Sequence, residues 1–386
     1  MNNAAAPDAI ETVILASTRD IVFEKRRQVK NRRTKMKQRS AALGILSLTV
    51  LLSSALPLAA ESSGKVKVSI LAGQSNMEGK AKVSLLAYQA EQPETRDFFK
   101  HLKKDGKWVV RDDAWINFLE RRGNLTVGFG SPKCIGPELE FGNTVADHFQ
   151  EQVLIIKTAW GGKSLGRDFR PPSSGLPSDE KVKQILQRTN ERNKKRKRPP
   201  ITLDDVKGMH GKYYRLMMAE ISTTLNNSKS RVPQYEGQGY DIAGFVWFQG
   251  WNDMFDPDFR ANYGRHMANF IRDVRKDLNI LDLPFVIGQM GQNGPEVTSD
   301  NMQMIKDAQA SIETMAEFED NVKVVRTDVF WDRKAAALVK NWRNHIDEWN
   351  KVGSDYGYHY LGSAITFSKI GKAFGEAMLE LMGAKK

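Results

Sequence analysis

The stretch KVSILAGQSNMEG, residues 67–79, decides the fold that we predict from this sequence. It begins as a mostly apolar run typical of a buried strand, and it ends with Gly73 and Gly79 on either side of Ser75. Glycines at such positions allow a tight turn from a strand into a helix, which lifts the serine hydroxyl into solvent. Ser75 would equally suit the N-cap of a helix, so this segment alone leaves its role open.

Similar apolar runs recur along the chain and alternate with helical patterns. The predicted strands are Val66–Ala72, Val153–Ala159, Ile242–Gln249, Phe285–Gln289 and Val322–Thr327. The predicted helices are Pro137–Gln150, Asp204–Asn226, Phe259–Leu278, Asn301–Phe318 and Ser363–Met382. This alternation predicts an α/β protein with a five-stranded, mainly parallel sheet.

Two segments interrupt the alternation, near residues 80–133 and 165–203, and we expect both to be insertions over the loop face of the sheet. The second contains QRTNERNKKRKR, residues 187–198. A nuclear signal or a phosphate-binding patch has this composition as well. Because Pro199 and Pro200 follow directly, we predict a solvated basic loop.

Composition and charge exclude several classes of protein. The 386 residues are 40% hydrophobic and 27% charged, which excludes a disordered, collagen-like or disulfide-scaffold protein. The net charge of +12 lies in residues 1–40 and 187–198, which carry +6 each, so we expect no nucleic-acid groove. Cys134 is the single cysteine and the histidines form no HExxH motif, so we predict neither a metal site nor a cofactor.

The N-terminal part has the layout of a secretory signal. Residues 41–60, AALGILSLTVLLSSALPLAA, carry no charge and follow the basic segment KMKQRS. We predict a signal peptide over residues 36–60, with a membrane anchor as the alternative, and hence a secreted or periplasmic protein. Residues 1–35 are expected to be a non-native or disordered extension, with natural translation starting at Met36. Residues 61–386 then form one domain.

Three strand exits and one late loop carry the candidate chemistry, because ligands of open α/β sheets bind at the carboxyl ends of the strands. Ser75 follows the first strand, and Gly161 and Gly162 follow the second in IIKTAWGGKSLG, residues 155–166. FVWFQGWNDMF, residues 245–255, places Asn252 after the third strand. Backbone N–H groups and an asparagine amide are common donors to an oxyanion.

The late loop lies directly before the last helix. In GSDYGYHYLGSAITFSKIGKAF, residues 353–374, Asp355 precedes His359 by four residues. A serine nucleophile needs a base, and that base needs an orienting carboxylate or carbonyl. The two residues can supply both.

Together, GQSNM, the double glycine, QGWND and the late histidine resemble the SGNH (GDSL-like) hydrolases, and within them the branch of sialate O-acetylesterases and acetylxylan esterases. The resemblance spans about residues 66–382. It implies a three-layer, flavodoxin-like α/β/α fold and a metal-free serine site that hydrolyses O-acetyl esters of sugars. It also implies Ser75 as nucleophile, His359 as general base, and an oxyanion hole of the Ser75 N–H, one N–H of Gly161 or Gly162, and the Asn252 side chain.

Two departures from the family pattern affect the site. The family usually has Asp three residues before His, where this chain has Tyr356; either Asp355 completes a triad, or a backbone carbonyl orients His359 and the site is a dyad. Many relatives have Glu-Ser-Asp in the third block, where this chain has Trp251-Asn252-Asp253. Trp251 offers a flat face to a sugar ring. We expect Gln74, Gln249 and Trp251 to bind the substrate.

The sequence therefore predicts an exported serine esterase that removes O-acetyl groups from a carbohydrate through an acyl-enzyme. The substrate is the expected partner, and no stable membrane insertion is expected after signal cleavage. The alternative from another class is a catalytically inactive carbohydrate-binding protein on the same fold, which the Asp355 spacing and Trp251 would suit. A lipase or thioesterase of the same superfamily is a further alternative, although no apolar lid segment is evident.

Overall fold

The computed structural model describes residues 64–232, 235–296 and 299–383. The predicted extension 1–35 and signal peptide 36–60 lie outside these ranges. The described strands are β1 Val66–Gly73, β2 Ala81–Lys82, β3 Lys103–Lys104, β4 Lys107–Trp108, β5 Ala114–Phe118, β6 Arg121–Asn124, β7 Cys134–Ile135, β8 Val153–Ala159, β9 Tyr240–Phe248, β10 Phe285–Gln289 and β11 Val322–Arg326.

The central sheet has the strand order β11-β10-β9-β1-β8-β5-β6. All neighbouring pairs are parallel except β5 and β6, which form an antiparallel edge hairpin. The five predicted strands form its contiguous part from β11 to β8. Buried parallel strands are apolar on both faces, which is why they stand out as continuous apolar runs in the sequence.

The predicted number of five strands is wrong, because the sheet has seven. The two additional strands, β5 and β6, come from the segment 80–133 that was predicted as an insertion. Ala114–Phe118 is fully buried but spans only five residues between charged neighbours. Its strand conformation depends on pairing with β8, which is distant in sequence and leaves no local pattern.

Helices cover both faces of the sheet, so the predicted three-layer α/β/α architecture is confirmed. They are α1 Ser75–Glu78, α2 Val83–Gln89, α3 Arg96–Phe99, α4 Glu138–Ala146, α5 Asp179–Lys195, α6 Leu203–Met209, α7 Lys212–Asn226, α8 Ser228–Arg231, α9 Pro257–Leu278, α10 Asp300–Ala310, α11 Arg333–Val339, α12 Ile346–Trp349 and α13 Ala364–Leu381. One core holds apolar residues of α7, α9 and α10, and the opposite core holds those of α4 and α13.

The structure differs from two of the predictions for residues 187–226, each for a local reason. The predicted helix 204–226 is divided into α6 and α7 at Gly211, which adopts φ +69° where a side chain would collide with the Arg170 carbonyl. The basic run 187–198 is exposed as expected, but α5 continues through it to Lys195, so it is mostly helix rather than loop.

Candidate active site

The candidate site lies where β8, β1 and β9 end side by side at the carboxyl edge of the sheet. Gly73 at the end of β1 is paired with Ala159 of β8 on one side and with Phe248 of β9 on the other. The three strand exits that the sequence singled out are therefore immediate neighbours, as the topology of parallel sheets requires.

Ser75 begins the four-residue helix α1 after a tight turn. Gly73 is required there, because a Cβ atom at this position would lie 2.2 Å from the Phe248 carbonyl oxygen. The N-cap of α1 is Gln74 rather than Ser75, so the capping role considered for the serine does not apply. Ser75 is 6% exposed. Within the described residues, neither its Oγ nor its N–H has a hydrogen-bond partner.

His359 and Asp355 form a hydrogen-bonded pair in the loop before α13. The distance from His359 Nδ1 to Asp355 Oδ1 is 3.1 Å. The His359 N–H donates to the Tyr356 carbonyl at 2.9 Å, and the resulting turn brings residues four apart to the same side. The four-residue spacing of Asp355 and His359, which is unusual for the family, therefore suits this turn.

The protonation of the pair favours a base at His359. Burial would raise the pKa of Asp355, but the hydrogen bonds from His359 and from the Tyr356 N–H outweigh it and lower that pKa. An ionised Asp355 accepts the Nδ1 proton, which leaves His359 Nε2 as the basic nitrogen.

A hydrogen bond between neighbouring residues ties the Ser75 turn to the histidine loop. The Asn76 side-chain amide donates to the carbonyl of Tyr358, the residue before His359, at 3.1 Å. No hydrogen bond joins Ser75 Oγ to His359 in the described part of the chain. Such bonds are often long in enzymes without substrate and shorten when substrate binds.

Two residues after His359 adopt the left-handed conformation that side chains rarely take. Tyr360 has φ +50° and Leu361 has φ +62°, and both are fully buried. The Tyr360 hydroxyl accepts from the Gly291 N–H at 2.9 Å and lies 2.5 Å from Thr327 Oγ1. Strain of this kind persists only where the surroundings fix it. Here the burial and hydrogen bonds of Tyr360 hold the histidine loop in one shape.

Two of the three further predicted oxyanion donors remain available in the structure. The Gly161 N–H donates to Glu78 Oε1 at 2.7 Å and is therefore already occupied. Gly162 has φ +70°, and its N–H has no acceptor among the described residues. Asn252 Oδ1 accepts from Gln74 Nε2 at 3.2 Å, which leaves Asn252 Nδ2 to donate elsewhere.

Gln74 and Gln249 are buried side chains that contact each other beside Asn252. They are 3% and 2% exposed, and Gln249 Nε2 lies 3.2 Å from Gln74 Oε1. The same amide is 3.0 Å from the Lys163 carbonyl oxygen. In the structure they position Asn252 and the loop after β8, and their role in substrate binding stays a prediction.

Asp253 anchors the loop that carries Gly162. It is fully buried and accepts from the N–H groups of Leu165 and Gly166 at 2.9 and 2.7 Å, and from the Gln249 amide at 2.6 Å. Burial raises the pKa of Asp253 to about 6, although these hydrogen bonds oppose the rise. The sequence singled out Asp253 as part of a block but did not reveal this anchoring role.

A buried ion pair beneath the Ser75 turn was missed in the sequence. Lys157 of β8 and Glu138 of α4 are fully buried, with 2.6 Å between Lys157 Nζ and Glu138 Oε2. Lys157 Nζ also donates to the Glu78 carbonyl, which ends α1, at 2.8 Å. Burial lowers the pKa of Lys157 despite the attraction of Glu138. The available signal was a single lysine inside an otherwise apolar strand.

Trp251 stands at the rim of the site, partly exposed, as its predicted role requires. Its ring lies 6.0 Å from that of Tyr358, the neighbour of His359. In the described ranges, no three His, Cys, Asp or Glu side chains are grouped to hold a metal ion.

The family model described as carbohydrate esterase, sialic acid-specific acetylesterase, matches residues 65–336. The match includes the blocks around Ser75, Gly162 and Asn252 and ends before Asp355 and His359. A sequence search of curated proteins finds no match.

Three solved structures are similar at low sequence identity. A protein from Arabidopsis thaliana is 15% identical with a TM-score of 0.47, covering 82% of this chain and 98% of its own. A carbohydrate acetylesterase from Xanthomonas citri is 14% identical with a TM-score of 0.45, covering 83% and 57%. NanS is 15% identical with a TM-score of 0.48, covering 84% and 99%.

Proposed function

This chain belongs to the carbohydrate esterase family of sialic acid-specific acetylesterases, and from that membership we propose that it is a serine esterase that removes O-acetyl groups from a glycan through an acyl-enzyme. The observation that carries the serine mechanism is the Asp355–His359 pair, 3.1 Å apart, in the loop that Asn76 ties to the Ser75 turn. Nucleophile, base and orienting acid thus come from two segments held together at one edge of the sheet.

In the proposed acylation step, Ser75 Oγ attacks the acetyl carbonyl carbon while His359 Nε2 takes its proton. The carbonyl oxygen becomes negative and accepts from the N–H groups of Ser75 and Gly162 and from Asn252 Nδ2. When the tetrahedral intermediate collapses, the bond from carbon to the sugar oxygen breaks. His359 returns the proton to that oxygen, so the sugar leaves as an alcohol.

Deacylation repeats the chemistry with water in place of the sugar. His359 takes a proton from the water, whose oxygen attacks the acetyl-serine carbonyl, and the same donors hold the second oxyanion. Collapse returns that proton to Ser75 Oγ and releases acetic acid, which loses its own proton to water and becomes acetate. Asp355 remains ionised throughout and stabilises the imidazolium form of His359, which its lowered pKa supports.

The geometry favours this function over a catalytically inactive sugar-binding protein. An inactive descendant has no need for free N–H donors at Ser75 and Gly162, or for left-handed strain at Tyr360 and Leu361. The left-handed strain costs folding free energy, so it supports a loop that is shaped to position His359.

The experiment is to measure acetate released from acetylated xylan, acetylated sialosides and acetylated algal polysaccharides, with 4-nitrophenyl acetate as a small control ester. We expect hydrolysis of the control ester and of at least one carbohydrate. A purified, folded protein that hydrolyses none of them would contradict the proposal and favour the sugar-binding alternative.

We further propose that the enzyme acts outside the cytoplasm as a single domain from residue 61 onward, after removal of residues 36–60. The uncharged segment 41–60 supports export. None of the helices in the described ranges is long and apolar enough to cross a membrane. N-terminal sequencing of the natural protein tests this proposal, and a natural chain that starts at Met1 would contradict it.

A further inference from the structure

Four aromatic rings form a continuous row at the rim of the candidate site. Phe255 lies 6.0 Å from Trp251 between ring centroids, and Trp251 lies 6.0 Å from Tyr358. Tyr358 is stacked on Tyr356 at 5.3 Å, with an angle of 13° between the ring planes. We call these four residues the aromatic row.

The row is unusually exposed for side chains of this kind. Phe255, Tyr356 and Tyr358 are 63%, 58% and 40% exposed. In the described ranges, the other exposed Phe, Tyr or Trp residues are Tyr88 and Tyr240, at 37% and 38%. Scattered apolar side chains on a surface need no explanation, but a contiguous group marks a binding site.

The row begins next to the reacting groups. The Tyr358 ring packs edge-on against the His359 imidazole at 4.4 Å, and Trp251 directly precedes the oxyanion residue Asn252. From there it leads outward in two directions, to Tyr356 on the histidine loop and to Phe255 on the short 3-10 turn Asp253–Phe255. It is therefore longer than one acetylated sugar at the serine needs.

The loops that carry the row are held rigidly, so the rings do not depend on mutual burial for their position. The Ser354 and Asp355 N–H groups donate to the Leu361 carbonyl at 2.8 and 3.1 Å, which closes the histidine loop. Asp253 is fixed by its hydrogen bonds to the loop after β8. Rigid exposed rings lose little entropy when a ligand binds.

We propose that the aromatic row binds the sugar rings of a glycan chain on both sides of the acetylated residue, so that the substrate is a polysaccharide or oligosaccharide rather than a free sugar. This inference rests on the proposed function. The faces of pyranose rings carry C–H groups, which pack on flat aromatic faces, while the sugar hydroxyls remain in water. A row of four rings suits consecutive sugars of one chain.

The test compares Tyr356→Ala and Phe255→Ala with wild type on acetylated oligosaccharides, acetylated monosaccharides and 4-nitrophenyl acetate. Each substitution removes only a ring of the row, and the Tyr356 backbone N–H and carbonyl that hold Asp355 and His359 are retained in alanine. We expect KM for the oligosaccharides to rise about fivefold to tenfold in each variant, because one stacking contact is lost, with kcat unchanged. Turnover of the two small esters should stay within about twofold of wild type. Tyr356→Phe and Phe255→Tyr should restore wild-type KM.

Tyr240→Ala is the matched control, since Tyr240 is 38% exposed but begins β9 at the opposite end of the strand. This variant should leave kcat and KM unchanged for every substrate. Unchanged oligosaccharide KM in both row variants would overturn the inference, as would equal losses on all esters.

Binding separates this inference from the proposed function. Calorimetric titration of the Ser75→Ala protein with the same oligosaccharides should show affinity that Tyr356→Ala weakens, whether or not wild type hydrolyses them. Affinity for the oligosaccharides without hydrolysis would contradict the proposed function alone. Hydrolysis with no preference for oligosaccharides over acetylated monosaccharides would contradict the inference about the aromatic row alone.

Discussion

At the residue scale, the orientation of His359 depends on one carboxylate and one turn. Asp355 Oδ1 lies 3.1 Å from His359 Nδ1, and the Tyr356 N–H donates to the same oxygen at 2.6 Å. This second hydrogen bond fixes the carboxylate so that it faces the imidazole. The four-residue spacing thus yields a complete acid–base pair, and we propose a triad rather than a dyad.

Asp355→Asn tests the triad. The amide keeps the loop shape, but it can hold the imidazole in the wrong tautomer and cannot stabilise the imidazolium, so kcat should fall by about 10³–10⁴-fold. Steady-state hydrolysis of 4-nitrophenyl acetate measures it, with His359→Ala as the severe reference. A loss below about tenfold beside an inactive His359→Ala would instead indicate a Ser75–His359 dyad.

Asn252→Ala tests the oxyanion donor. Because Gln74 occupies Asn252 Oδ1, the Nδ2 group is left to donate, and its loss should lower kcat by about 10²–10³-fold with little change in KM. The exposed Asn301→Ala serves as the control. A large rise in KM with normal kcat would make Asn252 a substrate-binding residue, and unchanged kinetics would place the donor elsewhere.

At the element scale, the Ser75 turn rests on the buried pair of Lys157 on β8 and Glu138 on α4. Lys157→Met leaves Glu138 buried without its partner and should lower the free energy of unfolding by about 3–5 kcal/mol. Urea denaturation measures this loss. The double variant with Glu138→Gln should recover most of it.

The exposed Lys183→Met provides the control for that experiment and should change the stability by less than about 0.5 kcal/mol. If Lys157→Met were equally mild, the pair would not stabilise the Ser75 turn.

The loop after β8 depends on Asp253, whose burial makes stability depend on pH. With a pKa of about 6 in the folded protein, against 3.8 as its ordinary value, this carboxyl binds its proton more tightly when folded. Its stabilising contribution is therefore present below about pH 4 and lost as pH rises through about 6.

Consequently, the advantage of wild type over Asp253→Asn in free energy of unfolding should shrink by about 2 kcal/mol between pH 4 and pH 7. Urea denaturation of both proteins across this range measures it. A difference that does not vary with pH would mean that Asp253 titrates normally.

At the scale of the whole molecule, the sequence predicts strands that have an apolar pattern of their own. It does not predict strands whose conformation depends on pairing with a strand distant in sequence. The ends of β8 and β10 are predicted correctly, because buried parallel strands are apolar throughout. The strand Ala114–Phe118, which lies next to the edge strand β6, is not predicted, since its conformation depends on pairing with β8. The family membership is confirmed by the match over residues 65–336.

The same division applies to the candidate site. Ser75, Asn252 and His359 stand beside glycines and strand ends, and such signals are visible in a single sequence. The roles of Gln74 and Gln249 are not visible in a single sequence. A glutamine that binds sugar and one buried against another glutamine have the same local sequence. Burial of polar groups is decided by the partners that the fold supplies.

The central claim is that this molecule is a carbohydrate acetylesterase whose nucleophile is Ser75. The most direct measurement is acetate release from an acetylated glycan by wild type and by Ser75→Ala, with circular dichroism as the check that both are folded. We predict release by wild type and a loss of about 10³-fold or more in kcat for the variant. A folded Ser75→Ala protein that retained about a tenth of wild-type turnover would contradict the claim.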